Sequence, residues 1–399
     1  MKSIGFYILP FRISDTSLFE KHLDNIGFRE AHDLFSIHYL LRYTVEQTPD
    51  GKKMFKCFIL SEKAEGIADY LCFDVNLSLQ KISIVMFENS IGYLIYKMEY
   101  LTDDVEQIIE ISSKTKVYEN QFKYNSLKKS ADYILGIESG NINTFFHLSE
   151  IANKNSHIFQ YINVEDFNLI SDEQRFRLRN GYDNSFRYNE NDRTHTNFEY
   201  KPFPYIYWTA GQSSLVCITE DNCKENRTFL HKVLPVNIEN DYLLMYLLTL
   251  HQRYSSFAFM FDISKYKDND KKIAEINRDI TKFQLESSFY MVSDERVYQD
   301  LYSMLRKTMD IEILFRDIKE INERFKNIRD DYNNKRERVA GTAITVLSLM
   351  TVFSALIDFS SFLDRFSGAS FVNTIASSVI IVAIAFISVF TYLHYIKKL

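Results

Sequence analysis

Two long uncharged runs close to the C-terminal end constrain this chain more than any other feature. The first, VAGTAITVLSLMTVFSALI, is 19 residues long (339–357), and the second, at 371–393, is 23 residues long. Between them lies SALIDFSSFLDRFSGASF, whose charges are Asp358, Asp364 and Arg365. A helix rises about 1.5 Å per residue, so the shorter run covers roughly 28 Å, near the hydrocarbon thickness of a bilayer. The competing reading, a pair of buried core helices, needs runs longer than a soluble core normally uses. The pattern therefore predicts two transmembrane helices.

The flanking charges set the expected orientation. Arg329, Lys335, Arg336 and Arg338 precede the first run, and Lys397 and Lys398 follow the second. Basic residues are retained on the cytoplasmic side, so both termini are expected to face the cytoplasm and the connection to face outward. The expected location is a multi-pass protein of the inner (plasma) membrane. The opening MKSIGFYILPF reads as a strand, not a signal peptide.

Upstream, Ile311, Leu314, Ile318, Ile321, Phe325, Ile328 and Tyr332 follow a 3, 4, 3, 4, 3, 4 spacing with charges between them. No Gly or Pro interrupts 301–340. This predicts a long helix, either a coiled-coil stalk or a helix that packs one stripe on its own domain. Extending the seam gives Val339, Thr342, Val346, Leu349, Phe353 and Leu356, with Thr345 and Ser348 beside it. Symmetry-related copies would enclose a path lined by Thr342, Thr345, Leu349 and Phe353, with Asp358 at its outer end, where the apolar side chains would gate by dewetting. The same residue types also serve plain helix packing in membranes.

The rest reads as a mixed α and β body. SIGFYILPF is an expected strand, and KISIVMFENSIGYLIYKMEYL an expected hairpin around Glu88, Asn89 and Ser90. A helix is expected from about Thr102, a strand at SSLVCITE, and a wholly buried helix in NDYLLMYLLTLHQRYSSFAFMF with Asn240 or Asp241 as its cap. The resulting division is a sensor domain at 1–265, a helical stalk at 266–338 and a two-helix membrane domain at 339–399.

Residues 172–200 are polar and aromatic, with Arg175, Arg177 and Arg179 alternating. On a strand the three share a face; on a helix Arg177 turns away from the other two. Tyr207 and Trp208, the chain's single tryptophan, follow in YKPFPYIYWTAGQSS. Arginines beside aromatics suit a nucleotide or other phosphate-bearing ligand; a solvated loop with local ion pairs is the alternative.

Several functions are disfavoured. Neither GxxxxGK[ST] nor GxGxxG occurs, and the four cysteines form no CxxC pair. The net charge of −6, with acids and bases interleaved, argues against direct nucleic-acid binding. The nine histidines show neither HxH nor HExxH, so a non-enzymatic protein is expected.

A mixed α/β body, a long helix entering a first span, a short outer loop, a second span and a basic tail together resemble the CorA-type metal channel superfamily. FENSIGYLIYKMEY, LLTLHQRYSSFAF and FYMVSDERVYQDLY resemble segments of the divergent CorA-like proteins that accompany type III CRISPR defence systems. The resemblance implies an α+β cytoplasmic domain, a stalk helix and two C-terminal transmembrane helices, assembled as a homo-oligomer, with a pentamer expected. It implies an ion channel in antiviral defence, opened by a nucleotide second messenger such as SAM-AMP. Magnesium-transporting members carry Gly-Met-Asn at the outer mouth; this chain has ALIDFSSF there and no GMN anywhere. A divalent-cation transporter with a variant filter, and a membrane-anchored binding protein without a channel, are the alternatives.

Overall fold

The computed structural model describes residues 3–32, 34–36, 38–41, 54–61, 76–116, 126–136, 145–147, 156–189, 198–221, 226–287, 289 and 291–367. Its strands are β1 (Ile4–Ile13), β2 (Phe28–Glu30), β3 (Phe55–Leu60), β4 (Leu77–Phe87), β5 (Ile91–Tyr100), β6 (Phe145–His147), β7 (His157–Val164), β8 (Glu199–Phe203), β9 (Ile206–Ala210) and β10 (Ser214–Glu220). Its helices are α1 (Thr16–Asn25), α2 (Val105–Lys116), α3 (Ser126–Ile134), α4 (Asp172–Asn180), α5 (Leu234–Asn237), α6 (Leu243–Lys265), α7 (Asp270–Ser287), α8 (Arg296–Thr308) and α9 (Ile311–Ser367). The chain divides into two compact units, Met1–Lys319 and Glu320–Leu399.

The first unit is built on one mixed sheet in the order β2-β3-β4-β5-β1-β7-β10-β9-β8, with β6 also pairing β1. All its pairings are antiparallel except β7 with β10. β1 lies near the middle and is buried on both sides. Phe6 and Ile8 belong to one apolar cluster, and Tyr7, Leu9 and Phe11 to the other, as the two-residue period of a strand requires. Pro10 would interrupt a ladder in the centre of a sheet. Here it falls in a gap: β7 pairs β1 only as far as Ile8, and β6 takes over from Phe11.

One face of the sheet packs α1 to α4; the other packs α6, α8 and the start of α9. The expected β4–β5 hairpin is present, with Ser90 at the tip in the left-handed region (φ 64°). The buried helix is also present, although neither Asn240 nor Asp241 caps it. The helical path already runs through two π-helical turns, Phe229–Val233 and Ile238–Tyr242, and continues into α6. Asp241 instead turns inward, and its Oδ1 accepts the backbone N–H groups of His38, Tyr39 and Leu40 at 3.1, 3.1 and 3.3 Å.

Three expectations about the C-terminal part are corrected. The unbroken helix expected from Leu301 is divided, because Asp310 adopts φ 57° between α8 and α9. Aspartate tolerates that left-handed conformation as a single residue. Next, the stretch expected as an outer loop is helical: α9 passes through Asp358, Asp364 and Arg365 to Ser367. Finally, among the described residues no helix is long and apolar enough to cross a membrane. The transmembrane fold and the ion channel built on it are therefore not supported. The 339–357 stretch belongs to α9 and is continuous with charged helix on both sides. The second expected span, 371–393, and the side chains of Phe353 and Leu356 lie outside the described residues.

Of the heptad positions, Ile311, Leu314 and Ile318 are buried in the first unit. For this segment the stripe packs on its own domain.

Candidate functional site

Residues 172–180 form a helix, which decides between the two geometries open for the three arginines. Ser171 caps α4 by accepting from Gln174 N (3.2 Å), and the Gln174 side chain accepts from Ser171 N (2.8 Å), a reciprocal capping box. At the other end Gly181 adopts φ 59°, and its N–H and that of Tyr182 return to the last turn, as a left-handed helix terminator does.

Helical spacing places Arg175 and Arg179 on one face and turns Arg177 away. Arg177 is buried and donates to Glu106 at 3.0 and 3.2 Å and to Asn184. It joins α4 to α2 and lines neither the cleft nor the hollow described below. The Arg175 guanidinium lies 5.5 Å from the centre of the Tyr207 ring. Arg179 is only 3 % exposed, lies 5.5 and 5.7 Å from the centres of the Phe176 and Phe198 rings, and pairs with Glu199 at 3.7 Å. Trp208 belongs to the core on the opposite face, with its ring against Tyr242 (4.7 Å) and Phe159 (6.2 Å). The sequence therefore brings Arg175, Arg179 and Tyr207 together and sends Arg177 and Trp208 elsewhere.

Arg179 lines a cleft of about 750 Å³. The walls are the end of α4 (Phe176, Arg179, Asn180), the β9–β10 turn (Gly211, Gln212) and the α8–α9 corner (Arg306, Lys307, Asp310, Glu312). Each wall is held by its neighbours. The carbonyls that α4 leaves unpaired at its C-terminal end accept from Ser214 Oγ (2.8 and 2.7 Å) and from Lys116 Nζ (2.6 Å). Burial lowers the pKa of Lys116 to about 8. Gly211 lets the turn approach α4 closely, since a Cβ there would lie 2.2 Å from the Arg179 carbonyl oxygen. Gln212 Nε2 donates to Asp310 Oδ2 at 3.2 Å, tying the turn to the left-handed corner residue. Arg306, 6 % exposed, donates to Glu312, the Phe289 carbonyl and the Tyr302 hydroxyl.

Two hydroxyls on the α8 wall are used within their own helix: Ser303 donates to the Gln299 carbonyl (2.9 Å) and Thr308 to that of Met304 (2.8 Å). The cleft thus offers cationic, amide and aromatic contacts. Among the described residues no group of three or more His, Cys, Asp or Glu side chains could hold a metal ion.

The expected pore residues lie on α9. The hydroxyls of Thr342 and Thr345 donate to the carbonyls of Arg338 and Gly341, four residues back, at 2.8 and 2.9 Å. Leu349 is half-buried and Asp358 exposed; the side chain of Phe353 lies outside the described residues.

Reading the sequence missed Asn180, Phe198, Gln212, Arg306 and Lys307. The α4 helix itself was signalled by Ser171-x-x-Gln174 and by Asn180-Gly181. No local pattern announces a cleft assembled from segments about a hundred residues apart.

Protein-family models, curated proteins and solved structures were compared with the chain, and none matches.

Proposed function

We propose that the first unit is a sensor module that binds a small anionic ligand of the nucleotide class in the cleft between α4 and the α8–α9 corner. One observation carries this reading: Arg179, almost wholly buried between two phenyl rings, forms a wall of a 750 Å³ cleft that also presents Lys307 and the Gln212 amide. That volume falls within the range of small-molecule sites, about 300–1,000 Å³. Buried cationic groups next to aromatic faces suit a phosphorylated ligand with a planar ring. The resemblance to defence-associated proteins makes a second messenger such as SAM-AMP the expected member of the class. A ligand acts as a signal only if it binds one of two packings better. The α8–α9 corner, turned by left-handed Asp310, is the element that would repack.

The test is calorimetric titration of the full chain with ATP, AMP and SAM-AMP, together with Lys307→Glu and Gln212→Ala at the cleft rim. Saturable binding that the two variants weaken supports the proposal. No binding of any of the three, or binding that both variants leave unchanged, removes it.

A second observation favours self-association. Val339, Ile344, Leu347 and Met350 on α9 are 63 to 70 % exposed, an apolar surface that an isolated chain rarely leaves bare. We infer that copies of the chain associate through this stretch, in line with the homo-oligomer expected from the sequence. Sedimentation velocity checks it: assembly that Leu347→Glu and Met350→Glu reverse supports the inference, and a monomeric wild type refutes it.

A further inference from the structure

A smaller hollow of about 320 Å³ opens between α4, strands β8 and β9 and the 3-10 turn Phe167–Leu169, lined in part by Arg175, Glu199, Lys201 and Tyr207. Glu199 and Lys201 lie two residues apart on β8 and so share a face, and the β8–β9 register places Tyr207 on that same face.

The hollow gathers three donor side chains, and one of their donor atoms has no partner among the described residues. Arg175 pairs with Asp172 through one terminal nitrogen, while its Nε is buried and has no hydrogen-bond partner among the described residues. The Tyr207 hydroxyl is also buried, and the acceptor it faces is the Glu199 carboxylate beside it. Its proton is held firmly, because burial, followed by the Glu199 carboxylate, raises its pKa well above the ordinary phenol range, with Arg175 and Arg179 opposing. Lys201 Nζ lies 5.1 Å from the centre of the Phe167 ring. Donors buried without partners are rare in folded proteins and call for an occupant. Here one such donor, Arg175 Nε, shares a concavity with a lysine and a phenol hydroxyl, and an oxyanion would accept from all three. Glu199 faces the same space and is held by Arg179 at 3.7 Å. It can only accept, so an occupant that carries a hydroxyl beside its oxyanion suits the hollow better than a bare oxyanion.

We propose that this hollow binds a phosphate monoester of a hydroxylated small molecule. Arg175, Lys201 and Tyr207 donate to the phosphoryl oxygens, and Glu199 accepts from the neighbouring hydroxyl. The volume suits a sugar phosphate better than an entire nucleotide. The site shares no lining residue with the cleft and is proposed separately from it.

The experiment titrates the full chain with ribose 5-phosphate, inorganic phosphate and ribose, by calorimetry and by ³¹P line broadening. Ribose 5-phosphate should bind at least about tenfold more tightly than ribose, and more weakly as salt is raised. Lys201→Glu, at an exposed position, should weaken ribose 5-phosphate at least about tenfold. Arg175→Gln should do the same, and Glu199→Gln should weaken ribose 5-phosphate more than inorganic phosphate. The cleft variant Lys307→Glu should leave all of this unchanged. The proposal is overturned if wild type shows no saturable binding of either phosphate compound, or if Lys201→Glu binds ribose 5-phosphate as wild type does.

Discussion

Replacing Asp241 by alanine tests how the loop at residues 36–41 is fixed to the body. Asp241 is wholly buried, and its Oδ1 accepts three successive backbone N–H groups, those of His38, Tyr39 and Leu40. Its neighbour Asn240 accepts the N–H of Ser36 at 2.9 Å. Alanine removes the shared acceptor. The Leu40 N–H bond is buried and would lose its partner without water to replace it, at a cost of about 1–3 kcal/mol. The other two are half-buried and can be partly rehydrated, adding about 0.5–1 kcal/mol each. The sum is about 2–5 kcal/mol. Asp241→Asn keeps one acceptor but loses the charge, and should cost about half as much. Three other ties would remain: the Asn240 bond to Ser36, Leu41 N to the Val292 carbonyl at 2.8 Å, and Ser293 Oγ to the Tyr39 carbonyl at 2.6 Å. The loop should therefore loosen locally before the sheet melts. Hydrogen exchange followed by mass spectrometry reads this directly, with faster exchange expected for amides 38–40 and little change in β1 and β5. A melting temperature lowered by several degrees should accompany it. The reasoning is refuted if Asp241→Ala melts with wild type and amides 38–40 stay protected.

Other outcomes follow from the same geometry. Lys116 has a folded pKa lowered to about 8 by burial, against an ordinary value of 10.5. Between those values the unfolded chain binds the extra proton, so stability should rise with pH from about 8 to 10.5; Lys116→Met should flatten that slope in pH-dependent denaturation. Gly211→Ala forces a Cβ against the Arg179 carbonyl oxygen and should destabilise by about 1–3 kcal/mol, measured by thermal melting, while abolishing binding in the cleft. The Trp208 ring is buried away from the cleft, so its fluorescence should be blue-shifted and resist acrylamide quenching, and nucleotide should leave its emission maximum unmoved.

The parts of this fold legible in the sequence are those whose signals are local. The β4–β5 hairpin shows in the apolar runs on either side of Glu88, Asn89 and Ser90, and β1 in its opening apolar stretch. The capping box at Ser171 and Gln174 was equally local and would have resolved the arginine ambiguity at once. What was not legible depends on distant partners. Asp241 resembles a helix cap in sequence, but the π-helical turn directs it onto a loop two hundred residues earlier. Asp310 breaks the stalk helix with neither Gly nor Pro to announce it, and Gln212, almost a hundred residues away, holds it in place. Uncharged length alone suggested two spans separated by an outer loop, but α9 runs on as helix through Asp358, Asp364 and Arg365.

The central position of β1 has a consequence for biosynthesis. Its sheet neighbours are β5, ending at Tyr100, and β7, ending at Val164. At about 5–20 residues per second, the ribosome takes roughly 8 to 30 s to deliver the second neighbour after β1 has been made. For that time a ten-residue apolar strand has two open edges until β5 is made and one open edge thereafter. Efficient production should therefore depend on holdase chaperones that bind the nascent N-terminal segment, and yield should fall most sharply when elongation is slowed between residues 100 and 164.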